Sequence, residues 1–426
     1  MTPEPAAQKI VMENGLRLIT EHIPSVRSVS IGFWILGGSQ AEESEESGIT
    51  HFVEHMLFKG TPNRTAYDIA RDVDSLGGHL DAFTSREYTC LLATVLDEHL
   101  PKVIDILMDQ LKNSLFDEQE IDRERDVILE EIKTIEDSPD ELVHDLGIQN
   151  LWPDQPLGRS IIGCRESVQR FTRKNLVDYF VQNYTPGKII ITAAGNICQD
   201  SLCDLIQKRS LSAAVSSTGE KRVPGHQPTA HHQITYVLKN LEQVHLCLAL
   251  GGLPQNHSLR FASYLLNSIL GGGMSSRLFQ KIREQRGLAY SVYSSFQSYQ
   301  DAGMVSIYAG TRPQSFHDTV TLILEELTIL KEQEVTCEEL QRAKDQLKGS
   351  LMLGLESTLN RMSKLARQEM YFKKNLSLTE ILSKIDEVTQ EDLLSLAGLL
   401  FQTENLSLTV LGDSTVPKWS IDDLRC

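Results

Sequence analysis

The chain has 426 residues, 41% of them hydrophobic and 23% charged, with a formal net charge of −17. This composition is ordinary for a globular protein of two or three domains with substantial cores. The acidic balance argues against nucleic-acid binding, which needs a basic face. The lack of an eighteen-residue apolar run argues against a membrane span.

The N-terminal stretch MTPEPAAQKIVMENG has neither the basic start and apolar core of a secretory signal nor the Arg-rich character of a transit peptide. The seven cysteines, Cys90, Cys164, Cys198, Cys203, Cys247, Cys337 and Cys426, are scattered and form no C-x-x-C pair. A cytoplasmic location with reduced thiols is therefore expected, most of the cysteines being small core residues and none a metal ligand.

Strand-like alternation runs through LRLITEHI and VSIGFWIL and ends at Gly37-Gly38. AEESEESG then reads as an exposed loop leading to a helix. That helix carries His51-Phe52-Val53-Glu54-His55. Histidines four apart share one helical face and can grip one metal ion, and the intervening Glu54 is placed to act as general base on water. H-x-x-E-H is the reverse of the commoner H-E-x-x-H, and both are zinc-peptidase signatures. The plain alternative is two chance histidines on a surface helix.

Helical periodicity recurs in AYDIARDVDSL, and HLDAFTSREYTCLLATVL reads as two strands around a turn near Thr84–Glu87. A helix from about Glu98 to Ser114 carries the apolar stripe Leu100, Val103, Ile104, Ile106, Leu107 and Leu111. A long helical segment from about Asp117 to Leu146 follows, with Asp117 as N-cap and Glu120 three residues on. A helix over Ser167–Tyr184 and a strand KIIITAAG complete this half. Residues 213–231 are small, polar and Pro/Gly-containing, which predicts a linker between a catalytic domain (1–212) and a second domain (232–426).

The second half repeats the first in outline. Strands ITYVL and VHLCLALGGL precede a helix over Ser258–Leu270. After Gly271–Gly273 come a helix MSSRLFQKIREQ, strands AYSVYSSF and GMVSIYAGT, and long helices over 313–333 and 336–370. The triple glycine lacks the G-K-[ST] of a phosphate loop, so a hinge or substrate-contacting loop is expected. The repeat predicts duplicated α+β domains. Aligning Phe52 with Phe261 pairs His51, Glu54 and His55 with Arg260, Ser263 and Tyr264. The second copy thus has the scaffold without the metal residues, so packing alone does not demand them.

A catalytic zinc wants a third protein ligand and an open position. The acid-rich stretch EIDRERDVILEEIKTIEDSPDELVHDL offers several candidates, and composition does not choose among them. Here HFVEHMLFKGT, GGHLDAFTSREYT, ERDVILEEI and DQPLGRSIIG together resemble the pitrilysin/insulinase-type zinc metallopeptidases. The likeness is closest to the branch holding the mitochondrial processing peptidase β-subunit and bacterial single-chain relatives. It implies two homologous α+β domains, each a mainly antiparallel sheet of about six strands packed against helices, closing as a clamshell chamber. It implies one Zn²⁺ per chain, held by His51, His55 and Glu131, the last 76 residues after His55. Glu124, seven residues before Glu131, is implied as the accessory acid, with Glu54 as catalytic base. In the internal repeat Glu124 and Glu131 pair with Ala343 and Ser350, so the second copy lacks both acids.

The resemblance further implies substrate binding along the edge strand containing Asp81, Ala82 and Phe83, although the family usually has Asn where Asp81 stands. Arg283 and Tyr290 match its C-terminal pair, which binds substrate carbonyls and supports the transition state. Glu141 and Asp145, four apart on one helical face, match acidic positions that receive a substrate Arg. The implied activity is a zinc metalloendopeptidase acting on unfolded or presequence-like peptides, with an expected preference for Arg or Lys near the cleavage site, a peptide substrate and a homodimeric partner. A non-catalytic core subunit of the same fold is the competing reading, and an H-x-x-E-H metal protein of other chemistry is a third.

Overall fold

The computed structural model describes residues 7–209 and 228–426. Most of the expected linker, 213–227, lies outside the described residues. The chain divides into two compact units. The first comprises Met1–Lys133, Arg159–Pro224 and Leu353–Ser377; the second comprises Thr134–Gly158, Gly225–Met352 and Leu378–Cys426. Each unit thus takes one segment from the other half of the chain, which a single division at residues 213–231 does not provide.

The first unit holds a six-stranded sheet. Its strands are β1 (Gln8–Val11), β2 (Arg17–His22), β3 (Ser28–Leu36), β4 (His79–Thr84), β5 (Tyr88–Leu96) and β6 (Ile189–Gly195), in the order β1-β2-β6-β3-β5-β4. Only the β2–β6 pair is parallel. Central β3 is buried along nearly all its length because both faces are covered. Val29, Ile31, Phe33 and Ile35 enter the main core with the helices Ile49–Met56 and Leu100–Asn113. The opposite face presents Ser30, Gly32 and Trp34 to the helix Thr358–Phe372. There Met362, Leu365, Ala366 and Met370 pack with Ile19, Trp34, Leu92 and Ile190. A Cβ on Gly32 would come within 2.6 Å of the Met362 sulfur and 2.9 Å of the Trp34 indole nitrogen, so a side chain there would have to displace one of them. Charged groups fix the helix at its margins. Buried Glu369 accepts from Lys9 Nζ at 2.8 Å and Arg17 Nη1 at 3.5 Å, and Arg361 pairs with buried Glu21.

The second unit repeats the plan with five strands: β7 (Gln233–Leu238), β8 (Val244–Gly252), β9 (Ala289–Ser298), β10 (Gly303–Thr311) and β11 (Ser407–Gly412). Their order is β7-β11-β8-β10-β9, with β7–β11 the parallel pair. Val244, Leu246, Leu248 and Leu250 enter the core with the helices Arg260–Leu270 and Phe316–Glu332. The other face, with Cys247, Ala249, Met304 and Tyr308, packs with Val143, Ile148 and Leu151 of the helix Pro139–Leu151. A Cβ on Gly147 would meet the Cys247 sulfur at 2.7 Å.

Several predicted helices are interrupted by local chemistry. The segment 117–146 is two helices, Glu118–Asp137 and Pro139–Leu151, because Pro139 lacks an N–H and starts a new one. Asp117 does cap the first, accepting from the N–H groups of Gln119 (2.9 Å) and Glu120 (3.3 Å). Ser167–Tyr184 is likewise split, into Arg165–Arg170 and Arg173–Asn183, with Thr172 capping the second. The segment 336–370 divides at Leu355–Ser357, where Ser357 caps Thr358–Phe372. MSSRLFQKIREQ includes a π-helical turn, Phe279–Glu284. Of the seven cysteines only Cys90, Cys203 and Cys247 are buried; Cys164, Cys198 and Cys337 are exposed, so most are not core residues. Among the described residues, no helix is long and apolar enough to cross a membrane.

Candidate metal centre and active site

The helix Ile49–Met56 is anchored by Ile49, Phe52, Val53 and Met56, all fully buried. This fixes its orientation and turns His51 and His55 together onto the remaining face, with ring centroids 4.6 Å apart. The helix Glu118–Asp137 is anchored by Ile121, Ile128 and Ile132. Glu124 and Glu131, two turns apart, therefore lie on one side of it. Glu131 Oε2 stands 3.8 Å from His51 Nε2 and 3.6 Å from His55 Nε2. Among the described residues these three form the one group of His, Cys, Asp and Glu side chains whose donor atoms converge, all within 4.8 Å of one another.

The donor set fits a zinc ion. Tetrahedral ligands at about 2.0–2.1 Å from Zn²⁺ would lie about 3.4 Å from each other, close to the spacings seen. His51 is kept neutral, its pKa pushed down to about 3 by burial and by His55, so its lone pair is free at neutral pH. Its Nδ1 is buried without a hydrogen-bond partner. His55 Nδ1 lies 3.0 Å from Glu124 Oε2, which assigns the proton to Nδ1 and leaves Nε2 to face Glu131. Burial opposes the charge on both members of this pair. The hydrogen bond and nearby charges nevertheless prevail, raising the His55 pKa and lowering that of Glu124. Lys59 Nζ, 2.5 Å from Glu124 Oε1, holds the same carboxylate from the other side.

Glu54 points elsewhere on the same helix. It is 8% exposed, and its Oε2 accepts a 2.5 Å hydrogen bond from the Thr84 hydroxyl at the end of β4. Burial raises its pKa, while Thr84 and His55 pull it back. A carboxylate so placed can take a proton and return it.

Residues 17–165 match the family described as insulinase, peptidase family M16, and residues 170–347 match the peptidase M16 inactive domain. The chain is 42% identical over 96% of its length to the uncharacterized zinc protease YmxG of Bacillus subtilis, covering 98% of that protein. It is 36% identical to an uncharacterized zinc protease of Rickettsia felis, covering 94% of this chain and 96% of the other. The chain belongs to peptidase family M16. Its fold is similar to the crystal structure of a protease from Helicobacter pylori, with a TM-score of 0.88 and 22% identity over 96% of this chain and all of the other. An M16 inactive domain structure from Pseudomonas fluorescens gives 0.90 and 20% identity, over 97% and 99% of the two chains.

The M16 inactive-domain match contains the helix Arg260–Leu270, where Arg260, Ser263 and Tyr264 occupy the repeat positions of His51, Glu54 and His55. The helices Glu118–Asp137 and Cys337–Gly354 begin at equivalent repeat positions, and the second carries Ala343 and Ser350 in place of the two acids. Arg283 lies in the π-helical turn of the second unit, its guanidinium 4.8 Å from the ring centroid of Tyr290, which is 77% exposed at the start of edge strand β9. Glu141 is exposed and Asp145 half-buried on the helix Pro139–Leu151.

Asp81, Ala82 and Phe83 lie on β4, the free edge of the first sheet. Asp81 Oδ1 accepts the Ala82 N–H at 2.9 Å, so this donor faces outward and is already engaged by the neighbouring side chain. Phe83 is partly exposed and packs edge-on against Trp34 and Tyr88. Sequence reasoning passed over Thr84, Lys59 and Glu42. Lys59 had a signal, lying four residues beyond His55 in sequence, although the helix itself ends at Met56. Thr84, thirty residues from Glu54 in sequence, had none.

Proposed function

We propose that this chain is a zinc-dependent endopeptidase that hydrolyses unfolded peptides, with His51, His55 and Glu131 as ligands and Glu54 as general base. The observation that carries this reading is the convergence of two imidazoles and a carboxylate beside a separate, buried carboxylate. Bound zinc would act as a Lewis acid toward the scissile carbonyl and the attacking water. Glu54, oriented by the Thr84 hydroxyl, takes the proton from that water and passes it to the leaving amine. Glu124 fixes the His55 tautomer. The substrate adds as a strand along β4, displacing Asp81 from the Ala82 N–H. In the same reading Arg283 and Tyr290 bind substrate carbonyls, and two copies of the chain pair. A complete donor set with a proton-accepting carboxylate argues against a non-catalytic subunit.

Zinc content together with cleavage of a quenched Arg-containing peptide tests the proposal, the decisive variant being Glu54→Gln. A second expectation concerns pH. The Thr84 hydrogen bond favours ionised Glu54, and the base acts when ionised. Thr84→Val should therefore raise the Glu54 pKa further and move the acidic limb of the kcat/KM profile to higher pH. An unmoved limb would show that Thr84 does not tune the base.

Preference for basic side chains is assigned to Glu141 and Asp145. Glu141→Gln with Asp145→Asn is expected to reduce kcat/KM for Arg-containing peptides by about 5-fold or more, the scale of a lost ion pair of about 1 kcal/mol. Peptides with Gln in place of Arg should be unaffected. Equal losses on both series would remove these residues from the specificity argument.

A further inference from the structure

The acidic stretch before the metal helix, expected to be a solvated loop, contains one acid that is not solvated. Glu42 is 4% exposed, while Glu43 and Glu45 remain in water. Its carboxylate reaches forward along the chain. Oε2 accepts the Gly48 N–H and Oε1 accepts the Thr50 N–H, both at 2.9 Å. These N–H groups open the helix Ile49–Met56, and the first turn of a helix leaves such donors without intrahelical partners.

The helix cannot cap itself. Its N-cap is Gly48, at φ 93°, with no side chain to offer. Nor can Gly48 be exchanged for a capping residue: besides the φ, a Cβ there would stand 2.7 Å from the Ile162 carbonyl oxygen and 2.8 Å from Gly163 Cα. The helix is eight residues long, too short to hold together by its own hydrogen bonds. A negative charge at its N-terminus is favoured by the aligned peptide dipoles, and charged acceptors make the stronger hydrogen bonds.

The surroundings hold Glu42 in turn. Arg159 Nη2 donates to the Glu42 backbone carbonyl at 2.5 Å, and the Thr50 hydroxyl is 2.6 Å from the Tyr179 hydroxyl. Thr50 immediately precedes His51, so the backbone that Glu42 fixes is the backbone from which the first imidazole projects.

We propose that Glu42 is a positioning residue for the metal centre: its buried carboxylate fixes the start of the helix Ile49–Met56 and thereby aims His51 and His55 at Glu131. This rests on the reading of those three residues as zinc ligands. Burial pushes the Glu42 carboxyl up to about 7, against the pull of the Thr50 side chain, the Thr50 and Gly48 N–H groups and Arg159.

The test uses full-length wild type, Glu42→Gln and Glu42→Asp. The amide of Gln retains one acceptor and turns an NH₂ toward the other N–H; Asp keeps the charge but withdraws it by one methylene. Zinc affinity is measured by competition with a chromophoric chelator at fixed neutral pH, the ligand field by visible absorption of the Co²⁺ form, and folding by the metal-free Tm. Glu42→Gln is expected to lose about 10-fold or more in zinc affinity, as removal of groups behind metal ligands does, and to alter the Co²⁺ bands. Its metal-free Tm should stay within about 4 °C of wild type. Glu42→Asp should resemble Gln. Unchanged affinity and Co²⁺ spectrum in Glu42→Gln would overturn the proposal. So would full recovery in Glu42→Asp, which would reduce the effect to charge, or a loss that follows a collapse in metal-free Tm. Failure of wild type to bind zinc would instead refute the ligand assignment.

Discussion

Glu54→Gln is expected to lower kcat by about 10³-fold, in the middle of the range for loss of a general acid–base group and equal to about 4 kcal/mol of barrier. Zinc binding should be unchanged. Gln has the shape of Glu and still accepts the Thr84 hydroxyl, so the helix and the two imidazoles stay where Phe52, Val53 and Met56 hold them. What disappears is the capacity to take a proton inside a pocket that shields the group from solvent. Metal analysis alongside hydrolysis of a quenched peptide reads both quantities on one preparation. A variant with wild-type turnover would remove Glu54 from the mechanism. Loss of zinc along with activity would mean that it serves the metal rather than the proton.

The second large effect is on folding. Deletion of residues 353–377 is expected to abolish cooperative unfolding of the first unit, although the deleted segment carries none of the proposed ligands. The helix Thr358–Phe372 covers the central strands on one face of that unit's sheet. Burial of Met362, Leu365 and Met370 alone contributes about 5–9 kcal/mol at about 1.5–3 kcal/mol per side chain, an upper bound that is comparable to the whole stability of a typical domain. Removing it exposes Trp34, Ile19, Leu92 and Ile190 as an apolar surface, takes Arg361 away from Glu21, and takes Glu369 away from Lys9 and Arg17. Circular dichroism melting and light scattering should show a broad transition and aggregation. A fragment 1–212, made by cutting at the apparent linker, should fail for the same reason. A soluble 1–212 fragment with a sharp melt would show that the first sheet folds without this helix.

The histidine half of the candidate metal centre was readable because its chemistry is local. Two histidines four apart, with a glutamate between them, define a helical face wherever the helix sits. The apolar stripe Leu100, Val103, Ile104, Ile106, Leu107 and Leu111 was readable for the same reason, and all six residues are buried. Helix ends were harder. Ser138-Pro139 and Gly354 to Ser357 interrupt periodic sequence through single residues whose effect depends on what the chain packs against next. Glu42 shows the limit most sharply. Three of the acids in AEESEESG are half-buried or exposed and one is buried, and nothing in their order distinguishes them.

By itself, the sequence determined two duplicated α+β halves, the H-x-x-E-H helix in the first, and the absence of that motif from the second. Periodicity and residue spacing carry that information, since both act through neighbours on one element. Only the tertiary structure decided that Glu131 Oε2 meets both imidazoles, that Thr84 grips Glu54, and that Glu42 caps the metal helix. It alone decided, too, that Thr134–Gly158 and Leu353–Ser377 belong to the opposite units. The physical reason is common to all of these. A sheet buries both faces only when some helix covers the second one, and a carboxylate leaves water only when specific donors wait for it. Which distant segment supplies the helix or the donors is settled by packing in three dimensions, at a range that local sequence patterns do not encode.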